Sequence, residues 1–186
     1  MVKQFITIYD KIPVPVRNVM WFSIITLGFH FLYRATASGI HSWAWVIWLN
    51  EALMKTVFDS SVWFNRHILG LEFNILDPRT MVFPGSGYVS ITAGCSGLKQ
   101  LYQVLVLFLL YPGPWRHKLW YIPMVMLAMH LTNLFRIISL SVMVIWQPQY
   151  WHFSHDWILR PLFYAVLFAL WVVWVEKFQL MKKKTV

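Results

Sequence analysis

In a chain of 186 residues, 59% are hydrophobic and only 12% charged, with 12 Trp, 14 Phe and 8 Tyr. Soluble domains run nearer 45–50% apolar and about 25% charged, so most of this surface requires lipid rather than water as its solvent. At roughly 20 residues per span the length allows four to six crossings and excludes a separate soluble catalytic domain. A single cysteine, Cys95, excludes a disulfide-stapled secreted fold.

The net charge of +9, from 16 Lys and Arg against seven carboxylates, would point to nucleic acid in a soluble chain. Here the cations flank the apolar runs: Lys3, Lys11 and Arg17 first, Arg116 and Lys118 in the middle, Lys182, Lys183 and Lys184 last. That is the positive-inside pattern, so the partner surface is the lipid bilayer and no nucleic-acid partner is expected. The first ten residues lack the long apolar core and small-residue cleavage site of a removable signal peptide.

These features predict an all-α polytopic membrane protein, a single domain over 1–186. It is a helical bundle of four to five transmembrane helices with a small extracytoplasmic hairpin loop. The first helix, 17–34, is opened by Arg17 and closed by Arg34. The second, 42–66, carries Glu51, Lys55 and Asp59 at i, i+4 spacing. This charged stripe neutralises itself, with Lys55 between two acids, and is expected to turn into the bundle or lie at the interface; an ion path is the other reading. Residues 67–94 read as an outer loop, with Asp77-Pro78, Pro84-Gly85 and Gly87 as turn signals around alternating runs. A third helix, 96–111, begins near Cys95 and stops at Pro112-Gly113-Pro114. The fourth, 119–146, is about 42 Å long at 1.5 Å per residue and must tilt or protrude. A second outer loop, 147–156, leads to the last helix, 157–178.

With the Lys-rich tail and the Arg116–Lys118 segment inside, both loops face outward. If the N-terminus is also inside, only one of the first two helices crosses fully, and the Glu51 helix lies at the outer interface or re-enters. Five complete spans with an external N-terminus would leave three cations on the wrong side.

Three features carry chemistry. The first is Ala93-Gly94-Cys95-Ser96-Gly97-Leu98-Lys99, a cysteine between glycines where a loop becomes a helix. A helix N-terminus favours a thiolate, and the amides of Ser96 to Leu98 are candidates to hold an oxyanion; a lone membrane cysteine also serves as a small packing residue. The second is Asn133-Leu134-Phe135-Arg136, an arginine with no nearby acid in a long apolar helix, with Asn133 one turn away on its face. It is either functional or an interfacial anchor. The third is Trp151-His152-Phe153-Ser154-His155-Asp156-Trp157, with two histidines suited to acid–base work, metal ligation or interfacial anchoring. A zinc site would need a third strong ligand, so no metal is assigned. Topology brings the cysteine, the arginine and a histidine to one outer face, a protease-like set of nucleophile, cation and acid/base.

In order and spacing, Cys95-Ser96-Gly97-Leu98-Lys99, Asn133-Leu134-Phe135-Arg136 and the downstream His155 resemble the exosortase and archaeosortase family over roughly residues 80 to 178. The chain looks like a short bacterial member, with Lys99 where many exosortases have arginine. The resemblance implies a membrane-embedded cysteine protease or transpeptidase of the bacterial inner membrane that uses no cofactor. Its substrates would be proteins with a C-terminal sorting signal, made of a short motif, a hydrophobic helix and a basic tail. They would be cleaved outside the membrane through a thioester and passed to an acceptor, a lipid or glycan amine or hydroxyl. It further implies Cys95 as nucleophile, Arg136 as stabiliser of the thiolate or oxyanion and His155, in preference to His152, as acid/base. Ser96, Gly97, Lys99, Asn133 and His152 would support them.

Three other readings stand beside this one. His30 and His130 lie inside apolar helices and suggest a haem-binding electron-transfer protein. A non-catalytic scaffold subunit would leave Cys95 idle. A rhomboid-like serine mechanism would draw on Gly85-Ser86-Gly87.

Overall fold

The computed structural model describes residues 12–179; the flanking cations Lys3, Lys11 and Lys182 to Lys184 lie outside the described residues. Helix α1, Val14–Ile40, starts at a proline-bracketed N-terminus, and α2, Ala44–His67, follows after a three-residue corner. Pro15 in the first turn loses nothing, because the N–H groups there have no intrahelical partner. Helix α1 is thus longer at both ends than the sequence reading, since Ala35 to Ile40 continue it past Arg34.

Residues 67–94 contain two hairpins rather than one. Strands β1 (Asn74–Asp77), β2 (Thr80–Phe83) and β3 (Gly87–Ser90) form an antiparallel sheet in that order. Asp77 accepts the Arg79 backbone N–H and closes the first turn, and Gly85 at φ 75° closes the second. In register, Met81 faces Val89 and Phe83 faces Gly87. Met81, Phe83, Val89 and Ile91 point to one side and are buried against Met54, Val57 and Phe58 of α2.

Helix α3, Leu98–Leu110, stops where Pro112-Gly113-Pro114 forbids continuation, and α4, Trp115–Trp146, begins with Pro114 as its N-cap. This turn is clamped from the side. Trp174 donates its indole N–H to the Pro112 carbonyl at 3.2 Å, and a Cβ on Gly113 would meet its ring at 2.5 Å. Lys118, assigned from sequence to a solvated inner loop, is buried in the first turns of α4. Its ammonium donates to the Leu109 carbonyl at 2.9 Å and lies over the Trp115 ring. The orphan carbonyls at the end of α3 give the charge a partner that the sequence pattern did not reveal.

Residues 147–156 are not a loop. After Gln147 breaks α4, Pro148–Tyr150 forms a 3-10 turn, Trp151–Phe153 an α-turn and Ser154–Leu159 a π-helix that runs into α5, Arg160–Trp174. Helical spacing supports this start, because Trp151 stacks on His155 and Asp156 pairs with Arg160, both at i, i+4.

Two cores share α4. Its first half packs with α3 and α5 through Val104, Phe108, Val125, Met129, Phe163 and Trp171. Its second half, at Ile137 and Val144, packs with α2 and the sheet. Among the described residues two continuous helical runs, Trp115–Trp146 and Pro148–Phe178, are long and apolar enough to cross a membrane, while α3 is apolar but shorter. Leu27, Phe31, Leu119, Leu127 and Leu131 are all more than half exposed, as expected of a lipid-facing surface. The charged stripe of α2 turns outward rather than into the bundle. Lys55 pairs only with Asp59, at 2.6 Å, while Glu51 binds Arg79 in the β1–β2 turn.

Candidate active site

From β3 the chain runs through an extended Thr92 into the 3-10 turn Ala93–Cys95, and the Cys95 N–H donates to Thr92 O at 2.8 Å. Ser96 is buried and fastens the next step: its hydroxyl donates to Ala93 O at 2.9 Å and accepts the Leu98 N–H at 3.2 Å. Gly97 then takes φ 83°, a left-handed conformation that ordinary residues avoid, and α3 starts at Leu98. Cys95 therefore sits on a separate turn ahead of the helix. The amides of Ser96 and Leu98 are used internally, and side chains from a neighbouring helix complete the surroundings of the cysteine.

Those side chains come from α4. Asn133 donates its amide N–H to the Cys95 carbonyl at 2.8 Å, and its own Oδ1 is buried without a partner in the structure. A Cβ on Gly97 would stand 3.2 Å from the Asn133 nitrogen. Gly97→Ala should therefore strain the backbone by about 1–2 kcal/mol and push Asn133 off the Cys95 carbonyl. The expected outcome is a lower melting temperature together with altered thiol labelling by iodoacetamide. An unchanged labelling rate would show that this hydrogen bond does not set the position of the cysteine.

Arg136, one helical turn beyond Asn133, is 6% exposed. Its Nε is buried without a hydrogen-bond partner, and no carboxylate pairs with it among the described residues. The group it couples to is the Cys95 thiol, with Arg160 as a second cation nearby. A buried guanidinium with no carboxylate beside it carries a desolvation cost of several kcal/mol, and the Cys95 sulfur is the hydrogen-bond partner within its reach. The thiol itself is half-buried, 3.5 Å from the Thr92 hydroxyl.

His155 enters from the π-helical start of the last helix. Its Nδ1–H donates to Asp156 at 2.8 Å, its ring lies flat on Trp151 with planes 2° apart, and Asp156 is in turn held 3.2 Å from Arg160. With Nδ1 engaged, Nε2 is the nitrogen left for chemistry. His152 meets Trp151 edge-on and does not line the cleft.

Cys95, Arg136 and His155 line one cleft of about 420 Å³, with Lys99, Gln100, Gln103 and Arg160 on its polar walls and Met129, Phe163 and Leu167 on its apolar ones. Arg160 and the two glutamines were missed from sequence. Arg160 was legible only by extending the last helix back to Asp156, and nothing in the local sequence separates Gln100 and Gln103 from ordinary α3 residues. His30 is exposed on α1, and His130 is half-buried on α4. Ser86 is exposed in the β2–β3 turn and does not line the cleft.

The fold and this site define a class: an integral membrane protein whose helices enclose a thiol, a cation with no carboxylate partner among the described residues and a carboxylate-backed imidazole in one cleft. The chain belongs to the transmembrane exosortase family, whose family model matches residues 17–172. No curated protein and no solved structure matches it significantly.

Proposed function

We propose that this protein is a membrane-embedded sorting peptidase or transpeptidase with Cys95 as nucleophile. The observation that carries the reading is the convergence of Cys95, Arg136 and His155, from three separate segments, on one cleft in which the buried cation faces the lone thiol. His155 Nε2 takes the thiol proton, and the sulfur attacks the scissile carbonyl. Arg136 balances the charge first on sulfur and then on the tetrahedral oxyanion. The imidazolium, steadied by Asp156, gives its proton to the leaving amine, and a thioester remains. An acceptor amine or hydroxyl, or water, then yields its proton to His155 and displaces the thiolate.

The topology that goes with this reading has α1, α3, α4 and α5 crossing the bacterial inner membrane and α2 with the sheet lying on the periplasmic side. It is supported by the packing of α2 on the second half of α4 and by the outward-facing Glu51, Lys55 and Asp59. Helix α3, at 13 residues, is about 20 Å long, so Cys95 would be recessed below the outer edge of a hydrocarbon layer about 30 Å thick.

Substrates are proteins ending in an apolar helix and a basic tail. The test compares cells carrying the native chain with cells carrying Cys95→Ala, mapping the C-termini of membrane and exported proteins by mass spectrometry. Proteins of that type should keep their tails only in the variant; identical C-termini in both strains would overturn the reading.

A further inference from the structure

A second cavity lies outside the cleft, between α1 and α3, with a volume of about 800 Å³. It follows one face of α1 from Trp21 through Gly28 and Tyr33 to Ile40, and the stretch from Trp21 to Tyr33 is about 18 Å long at 1.5 Å per residue, close to the length of α3, which forms the opposite wall. Tryptophans stand at both ends, Trp21 at one and Trp43 with Trp45 at the other, as aromatic residues do at the two membrane surfaces. At mid-depth Gly28 has open space where a Cβ would be, which lets another backbone come close.

The groove and the cleft share a wall. Lys99 lines the cleft, Tyr33 lines the groove, and the ammonium of the first lies 5.5 Å from the ring centre of the second. One turn along α3, the Tyr102 hydroxyl is buried beside the groove with no hydrogen-bond partner. Acyl chains offer nothing to such a hydroxyl. The first turn of a helix offers up to four unpaired N–H groups.

We infer that this groove seats the membrane-crossing helix of the substrate, with the helix N-terminus at Tyr102 and the preceding peptide turned past Lys99 into the cleft. The inference rests on the sorting-peptidase reading for the identity of the occupant. It adds the face of the enzyme that holds it and the point at which the chain leaves the helix.

The experiment places a photoreactive benzoylphenylalanine at Leu105, in the groove, or at Leu131, on the lipid-facing side of α4, in otherwise native protein in nanodiscs. The probe is a synthetic leucine–alanine helix of about 20 residues with a lysine tail. Peptide adducts should form several-fold more at Leu105 than at Leu131, and Gly28→Trp should abolish them while leaving iodoacetamide labelling of Cys95 unchanged. Val106→Trp serves as the second blocking variant if Gly28→Trp fails to fold. Equal adduct yields at the two positions, or adducts at Leu105 with lipid alone, would overturn the inference. Capture does not require the thiol, so Cys95→Ala should crosslink as the native chain does. A groove that captures the helix in a protein that processes nothing would remove the enzymatic reading and leave the groove standing.

Discussion

Arg136→Gln is expected to reduce C-terminal processing by about 10²–10³-fold, the usual effect of removing one preorganised group at a developing oxyanion. It should also slow iodoacetamide alkylation of Cys95 at fixed pH several-fold. Both effects follow from one arrangement: a 6%-exposed guanidinium with no carboxylate partner among the described residues, hydrogen-bonded to the only thiol in the chain. Stability should move the other way. A charge buried without a full partner opposes folding, so glutamine at 136 should leave the melting temperature unchanged or raise it. Opposite signs for stability and activity separate a functional cation from a structural one; if both fell together, Arg136 would be holding the bundle rather than the reaction. Arg136→Lys should not restore activity, because an ammonium is a point charge and cannot direct a planar fork of donors at sulfur and oxyanion together.

The same arrangement explains what was legible in the sequence. Cys95, Arg136 and His155 stood out because each breaks a rule of its surroundings: a lone thiol between glycines, a cation without an acid in an apolar helix, a polar pair among tryptophans. Such violations are conspicuous in a lipid-solvated chain, where background polar residues are few. The framework of helices was readable for a related reason, since Pro112-Gly113-Pro114 and the long apolar runs leave few alternatives. What was lost depends on partners distant in sequence. Lys118 read as a solvated cation because its acceptor, Leu109 O, belongs to the preceding helix. Glu51 read as the partner of Lys55 because Arg79, which it binds, lies in the distant β1–β2 turn. The 147–156 stretch read as a loop because its polar residues mask helical pairings, Trp151 with His155 and Asp156 with Arg160, that are apparent only once the backbone turns. The amides of Ser96 and Leu98 read as free because no sequence rule says that the Ser96 hydroxyl will bind the Leu98 N–H.

That helical start also decides between the two histidines, and here the expected contrast is large. His155→Ala should lower processing by about 10²–10⁴-fold, the range for losing a positioned acid/base, whereas His152→Ala should process normally. Both imidazoles touch Trp151, but one lies flat on it with Nδ1 tied to Asp156, and the other meets its edge away from the cleft. Asp156→Asn should fall between them. Its carboxylate is 44% exposed and shared with Arg160, and an exposed ion pair of this kind is worth at most about 1 kcal/mol, which corresponds to a several-fold loss. The amide oxygen of asparagine still accepts from Nδ1–H, so ring orientation survives while the negative charge behind the imidazolium is lost. If His152→Ala abolished processing and His155→Ala did not, the cleft as built would be the wrong site, because its only imidazole is that of His155. If neither substitution mattered, the thiol would need no base from this chain, and the thiolate held by Arg136 would have to attack with the leaving amine protonated from water.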